Sequence, residues 1–200
     1  MIVIGITGGI GSGKSTVLGI LEKEYDAYIM MADDIGSLAF EKGTETYYRM
    51  IDTFGDSIIN NEGEIDKNVL GNILMADKEK LSLQNDIVHP FVIERMKKKL
   101  DEYRHTDRLV VIETAILYEA GVDILCDEVW TVITDKRIRI DRLIKNRGYS
   151  MQKAEAFIKR QMSDEDYIEK ADRIIYNNDD VETLRLNIAN RFDEYNMEVL

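Results

Sequence analysis

The sequence predicts an α/β fold with a parallel sheet and helices on both of its faces. Three observations lead there. Short, β-branched apolar runs alternate with segments of helical periodicity. The first such run ends in a cluster of glycines and is followed at once by a helical stripe. No Ser/Pro/Gly-rich linker, low-complexity tract or internal repeat divides the 200 residues, which contain a single proline, Pro90.

The elements follow in order. Ile2 to Thr7 reads as a buried strand, and Ser15 to Lys23 carries Val17, Leu18, Ile20 and Leu21 on a helical stripe. Ala27 to Met31 is a second short strand that stops at Asp33 and Asp34. From Thr44 to Arg104 the periodicity is helical, broken by Gly55, Gly63 and Pro90, and the segment reads as an insertion forming a lobe of its own. His89 before Pro90 marks a helix boundary or packed turn, because a residue preceding proline avoids α geometry. Leu109 to Ile112 and Glu128 to Thr134 return to strand character. Asp135 to Asn146 and Ser150 to Met162 read as helices, with Ser150 as N-cap. Arg173 to Tyr176 is a last strand, and Val181 to Tyr195 a closing helix.

Composition excludes several functions. Hydrophobic residues at 44% and charged residues at 32% suit one globular unit with a real core. The formal charge of −12 argues against non-specific binding to nucleic acid or anionic lipid. One cysteine, Cys126, excludes an internal disulfide and a cysteine-rich metal site; it reads as a small apolar filler. The apolar start lacks a basic region and is too short for a signal peptide, and no run approaches the ~20 residues of a membrane span. The expectation is a cytoplasmic protein acting on a small molecule, as a monomer or weak homo-oligomer.

Gly8-Gly9-Ile10-Gly11-Ser12-Gly13-Lys14-Ser15 matches G-x-x-x-x-G-K-[ST] in full. From average residue usage, a chain of this length matches by chance on the order of once in a hundred. Glycines let successive amides turn inward around phosphate oxygens, and the helix that follows adds its positive end to the same site. Main-chain amides from Gly9 through Gly11, Ser12, Gly13, Lys14 and Ser15 to Thr16 are the candidate phosphate binders. Lys14 reaches the β- and γ-phosphates, and the Ser15 hydroxyl is the expected Mg²⁺ ligand. The chain is expected to bind a nucleoside triphosphate.

Asp33 and Asp34 follow the second strand at its carboxyl end, the edge where parallel sheets bind ligands. Asp33 is the candidate general base, with Asp34 a helix cap or solvated neighbour. Asp33-Asp34-Ile35-Gly36 also fits D-x-x-G of GTPases, but no N-K-x-D accompanies it. Leu109 to Glu113 resembles a Walker-B strand whose acid could hold Mg²⁺ through water; an ordinary strand with an exposed terminal acid fits equally. Lys136, Arg137, Arg139, Arg142, Lys145 and Arg147 form a basic island in an acidic chain. A solvated helix face is one reading; a helix-turn-helix lid supplying cations to a transferring phosphoryl group is the favoured one. Tyr47, Tyr48, Met50 and Phe54 read as the lobe's internal core, Trp130 as sheet packing and His105 as surface.

The constellation resembles the dephospho-coenzyme A kinase family. The resemblance runs from Ile4 through Thr16, then Ala32-Asp33, Phe54-Gly55, His89-Pro90, Ile116-Leu117-Tyr118-Glu119, Arg142-Leu143 with Arg147, Gln161, and Ala171-Asp172 leading to Asn177. It implies transfer of the ATP γ-phosphoryl group to the ribose 3′-hydroxyl of dephospho-coenzyme A. Asp33 would be the base, Lys14 a phosphate clamp and Arg142 the lid arginine. The implied fold is a P-loop kinase: a parallel five-stranded core at about 1–43 and 105–200, a helical substrate lobe at about 44–104 and a lid at about 136–165. The chain departs from the family at Met31 for aspartate, Ser37 and Lys67 for arginine, Lys42 and Ala115 for proline, and Glu113 for the usual acid. These leave the phosphoryl-transfer set intact and fall mainly on the substrate side. Another small-molecule P-loop kinase is the alternative, and a nucleotide-dependent switch a further one.

Overall fold

The computed structural model describes residues 1–193. Positions 194 and 195, the end of the expected closing helix, lie outside the described residues. The chain divides into two compact units, one of Met1–Met30 with the chain from His105 onward, the other of Met31–Arg104.

The first unit carries the sheet. Strands β1 (Ile2–Thr7), β2 (Tyr28–Met31), β3 (Leu109–Glu113), β4 (Glu128–Ile133) and β5 (Arg173–Tyr176) lie in the order β2-β3-β1-β4-β5. Strand β1 runs parallel to β3, with Ile4 opposite Val111, and parallel to β4, with Ile6 opposite Trp130. A central strand is covered on both faces, which is why β1, β3 and β4 read as continuous apolar runs rather than alternating ones. Ile4, Ile6, Val110, Val111, Ile112, Trp130 and Val132 form the buried middle. Two carboxylates stitch strand starts: Asp127 accepts from the Val3 amide at 2.7 Å and Asp172 from Val129 at 2.8 Å. Trp130 is wholly buried and donates its indole N–H to Glu128 at 2.9 Å, as sheet packing requires.

Helices α1 (Lys14–Glu24), α6 (Lys136–Arg147), α7 (Met151–Arg160), α8 (Asp164–Lys170) and α9 (Val181–Asp193) complete this unit. Leu184, Ile188 and Phe192 bury α9, with Phe192 5.1 Å from the Trp130 ring. Ser150 caps α7 by accepting from the Lys153 amide. Helix α8 was not expected from the sequence. The chain turns extended at Gln161, and Ser163 then starts a new helix by accepting from the Asp166 amide.

The second unit holds α2 (Ala32–Leu38), α3 (Glu45–Phe54), a 3₁₀ turn at Asp56–Ile58, α4 (Lys67–Ala76) and α5 (Lys78–Tyr103). Thr44, Asp66 and Asp77 cap α3, α4 and α5 with side-chain oxygens. Tyr47, Met50, Ile58, Leu70 and Ile87 form its core, with Phe54 packed against them; Tyr48 is exposed. The sequence-based boundary near residue 44 falls later than the structural one at 31. Helix α2 goes with this unit because it packs on α5: a Cβ built on Gly36 would meet Val92 at 3.7 Å and Val88 at 4.0 Å, ordinary contact distances.

Pro90 does not end a helix. Helix α5 runs 26 residues straight through it. The ring removes the amide that would meet the Asp86 carbonyl, yet Ile87, Val88, Val92 and Met96 bury a continuous face on both sides of the gap. Tertiary packing outweighs the local cost. The N-cap of α2 is Met31, with no side-chain bond, so Asp34 is no cap; Asp33 and Asp34 both stand exposed in the first turn.

Gly5 sits mid-strand where a Cβ would lie 2.8 Å from both Cys126 Sγ and Leu117 Cδ1. Cys126 donates weakly to the Val122 carbonyl at 3.6 Å, and burial, with Asp123 and neighbouring carboxylates adding to it, pushes its thiol up to about 12. Gly5→Ala is expected to destabilise by about 1–3 kcal/mol through overpacking. Gly19→Ala, in α1 with no atom within 4 Å of the new methyl, should gain roughly 0.5–1 kcal/mol. Urea denaturation of the two variants checks both signs.

Candidate active site

The glycine-rich loop leaves β1 at the carboxyl edge of the sheet and enters α1. Gly8 has φ 138°, and a Cβ there would lie 2.4 Å from the Val132 carbonyl oxygen. Gly13, the N-cap of α1, has φ 93°, and a Cβ would fall 2.1 Å from Asn177 Nδ2. Both positions therefore exclude side chains by conformation and by space.

The loop's carbonyls are tied off by residues far away in sequence. The Ser12 carbonyl accepts from Thr134 Oγ1 at 2.8 Å, Asn177 Nδ2 at 2.7 Å and Arg142 Nη1 at 3.3 Å. Arg142 Nη1 also lies 3.5 Å from the Gly11 carbonyl, and its Nη2 donates to the Asn177 carbonyl at 3.1 Å. Thr134 follows β4 and Asn177 follows β5, so parallel strand ends supply the donors. Gln161 Oε1 accepts from the Ile10 amide at 2.6 Å, and the Ser12 amide meets the Gly9 carbonyl at 3.1 Å. With its carbonyls turned outward and held, the loop can offer amides and the N-terminal end of α1 to an anion.

Lys14 donates from Nζ to the Gly8 carbonyl at 2.9 Å, and Nζ lies 3.6 Å from Glu113 Oε1. The sequence left Glu113 open between an Mg²⁺-side acid and an exposed strand end; the residue is 7% exposed and its carboxylate faces Lys14. Ser15 and Thr16 stand exposed in the first turn of α1.

The basic island resolves into two kinds of residue. Lys136, Arg137, Lys145 and Arg147 are exposed. Arg139 and Arg142 turn toward the loop. Ile140, Leu143 and Ala154 pack with Ile10, Tyr149 and Ile158, so α6 and α7 form a helix-turn-helix resting on the loop, with Gly148 left-handed at the turn. Arg139 is 3% exposed and donates from Nη1 to Asp164 Oδ1 at 2.7 Å. Burial pushes the phenols of Tyr118 and Tyr167 up to about 12, so both stay protonated at neutral pH. Asp33 belongs to the other compact unit.

Thr134 enters the sequence reading only as the end of a strand, and Gln161 and Asn177 only through the resemblance, without roles. A polar residue directly after a parallel strand, as Thr134 and Asn177 are, marks the ligand edge, and that signal was readable.

A family model described as dephospho-CoA kinase matches residues 2–183. A dephospho-CoA kinase of Oceanobacillus iheyensis is 38% identical over 198 residues, 98% of this chain and 98% of that one. A Thermus thermophilus crystal structure aligns at TM-score 0.82 with 26% identity, covering 96% of this chain and 97% of that one. A dephospho-CoA kinase from Campylobacter jejuni aligns at TM-score 0.72 with 22% identity, over 98% of each chain, and shares the fold.

Asn177 is 6% exposed and braces Ser12 from the carbonyl side. Asn177→Ala should cost only about 0.5–1.5 kcal/mol, because the Ser12 carbonyl keeps two other donors. Asn177→Asp should cost more, since it sets an acceptor against an acceptor. Thermal denaturation, with nucleoside triphosphate titration alongside, should rank both effects in that order.

Proposed function

The chain belongs to the dephospho-CoA kinase family, and from that premise we propose that it transfers the γ-phosphoryl group of ATP to the ribose 3′-hydroxyl of dephospho-coenzyme A, giving coenzyme A and ADP. The observation that carries the reading is the complete phosphate loop, braced through the Ser12 carbonyl with a half-buried lysine at its mouth. The amides of Ile10, Ser12 and Thr16 already meet acceptors inside the protein. Those offered to phosphate are therefore drawn from Gly9, Gly11, Gly13, Lys14 and Ser15. Lys14 supplies a point charge to the β- and γ-phosphates, exchanging its bond to the Gly8 carbonyl for one to phosphate. Arg142, the lid arginine of the resemblance, stiffens the loop through its carbonyls and brings positive charge to the phosphate site.

A bound Mg²⁺ would neutralise charge on the phosphate oxygens. The Ser15 hydroxyl and the Glu113 carboxylate are hard oxygen donors of the type it takes, and among the described residues no cluster of three acidic or histidine side chains competes with them. Ser15 would hold the ion directly and Glu113 through water.

Asp33 stands exposed in the first turn after β2, at the position the family resemblance gives to the base. In the reaction the 3′-oxygen bonds to the γ-phosphorus, the bond from that phosphorus to the β–γ bridging oxygen breaks, and the hydroxyl proton passes to Asp33. The reading makes the protein a cytoplasmic enzyme of small molecules, a monomer or weak homo-oligomer; no described helix is long and apolar enough to cross a membrane.

The test is formation of coenzyme A by the purified protein with ATP and dephospho-coenzyme A, beside a panel of nucleotide and sugar acceptors. Phosphorylation of another acceptor in preference would overturn the substrate assignment. Asp33→Asn should bind both substrates with little loss while the chemical step slows by about two to four orders of magnitude. Asp34→Asn should cost about 0.3–1 kcal/mol of stability from the same helix end and leave the step intact. Rapid-quench measurement under saturating substrates separates the two; equal, mild effects would remove Asp33 from the role.

A further inference from the structure

Two charged side chains that are buried among the described residues border the phosphate loop, Glu113 and Arg139. Glu113 answers Lys14. Arg139 is less easily explained as structure alone. A guanidinium carries five N–H donors. Nη1 meets Asp164 at 2.7 Å, but the buried Nε has no hydrogen-bond partner. The group lies against the loop: a Cβ built on Gly9 would be 2.6 Å from Nη1, 3.0 Å from Cζ and 3.3 Å from Nη2. The backbone of Arg139 presses on Gly11 as well, its carbonyl oxygen 3.0 Å from a Cβ built there.

The Gly8–Gly9 end of the loop is where a terminal phosphate would sit. Lys14 Nζ is held there by the Gly8 carbonyl, and a lysine at this point of the motif serves the β- and γ-phosphates. Its charge is matched by Glu113, while the guanidinium of Arg142 is spent on the carbonyls of Gly11, Ser12 and Asn177. Arg139 is the remaining interior cation of α6, with a planar fork suited to phosphoryl oxygens.

We propose that Arg139, held by Asp164 against Gly9, is a catalytic residue that contacts the terminal phosphoryl group of the bound nucleotide and distinguishes triphosphate from diphosphate. The proposal rests on the kinase reading for its nucleotide and on no acceptor. Asp164 is the positioning residue: it fixes one edge of the guanidinium and leaves the other donors for phosphate.

The test is calorimetric titration of Mg-ADP and of a β,γ-imido ATP analogue with Mg²⁺ into the wild type, Arg139→Gln and Gly9→Ala. Arg139→Gln should lose at least about tenfold in affinity for the analogue and less than about twofold for ADP. Its turnover with ATP should fall by about 10³-fold or more, the scale of a lost arginine at a phosphoryl group. Gly9→Ala keeps the charge but pushes the guanidinium aside, and its loss should be selective in the same way. It also decides the matter if Arg139→Gln melts too low to titrate. Equal loss of ADP and analogue affinity, or no loss, in the folded variants would reduce Arg139 to a structural brace and overturn the proposal. A wild type that discriminates the nucleotides through Arg139 but makes no coenzyme A would instead overturn the acceptor assignment alone.

Discussion

A loop that offers its amides to an anion must turn its carbonyls the other way, and those carbonyls then need donors of their own. In this chain that requirement gathers at Ser12. One carbonyl oxygen receives Thr134, Asn177 and Arg142, from the ends of β4 and β5 and from α6. Left without them, a buried carbonyl would lose its hydrogen bonds to water with nothing in exchange. The parallel register makes the arrangement possible, because β1, β4 and β5 all end at the same edge. The sheet thus does more than hold the loop up; it sets which way each peptide unit faces.

Charge follows the same economy. The chain is strongly acidic, and two of the three cations at the loop have a carboxylate beside them, Lys14 with Glu113 and Arg139 with Asp164, while Arg142 faces main-chain carbonyls. A buried pair gives little net stability relative to apolar residues of the same size, but removing one member strands the other. Such pairs keep cations in place before any ligand arrives, so that binding needs no large rearrangement of charge.

Legibility in the sequence tracked the range of the interaction. Strand β1, the glycine loop and α1 were readable because their signals lie within a score of residues. The caps at Ser150 and the lobe core at Tyr47 and Met50 were local in the same sense. Pro90 misled because the residue rule is local while the buried face of α5 is not. Gln161 and Asn177 reach back 151 and 165 positions to Ile10 and Ser12, and no spacing rule encodes such a bond. Charge counting found the basic island but not which members turn inward; that depends on the packing of Ile140, Leu143 and Ala154 beneath the loop.

Cys126 gains a different meaning once the acceptor is considered. Dephospho-coenzyme A ends in a free thiol, and its oxidised forms are disulfides that any accessible protein thiolate would attack. Exchange of that kind proceeds through the thiolate on the attacking side and needs a clear approach to sulfur. Its thiol is pushed up to about 12 by burial and neighbouring carboxylates, so Cys126 disfavours the thiolate, and its sulfur packs toward Gly5. The packing that fills the space behind β1 thereby disfavours the thiolate at the one cysteine that could meet the reactive end of the substrate.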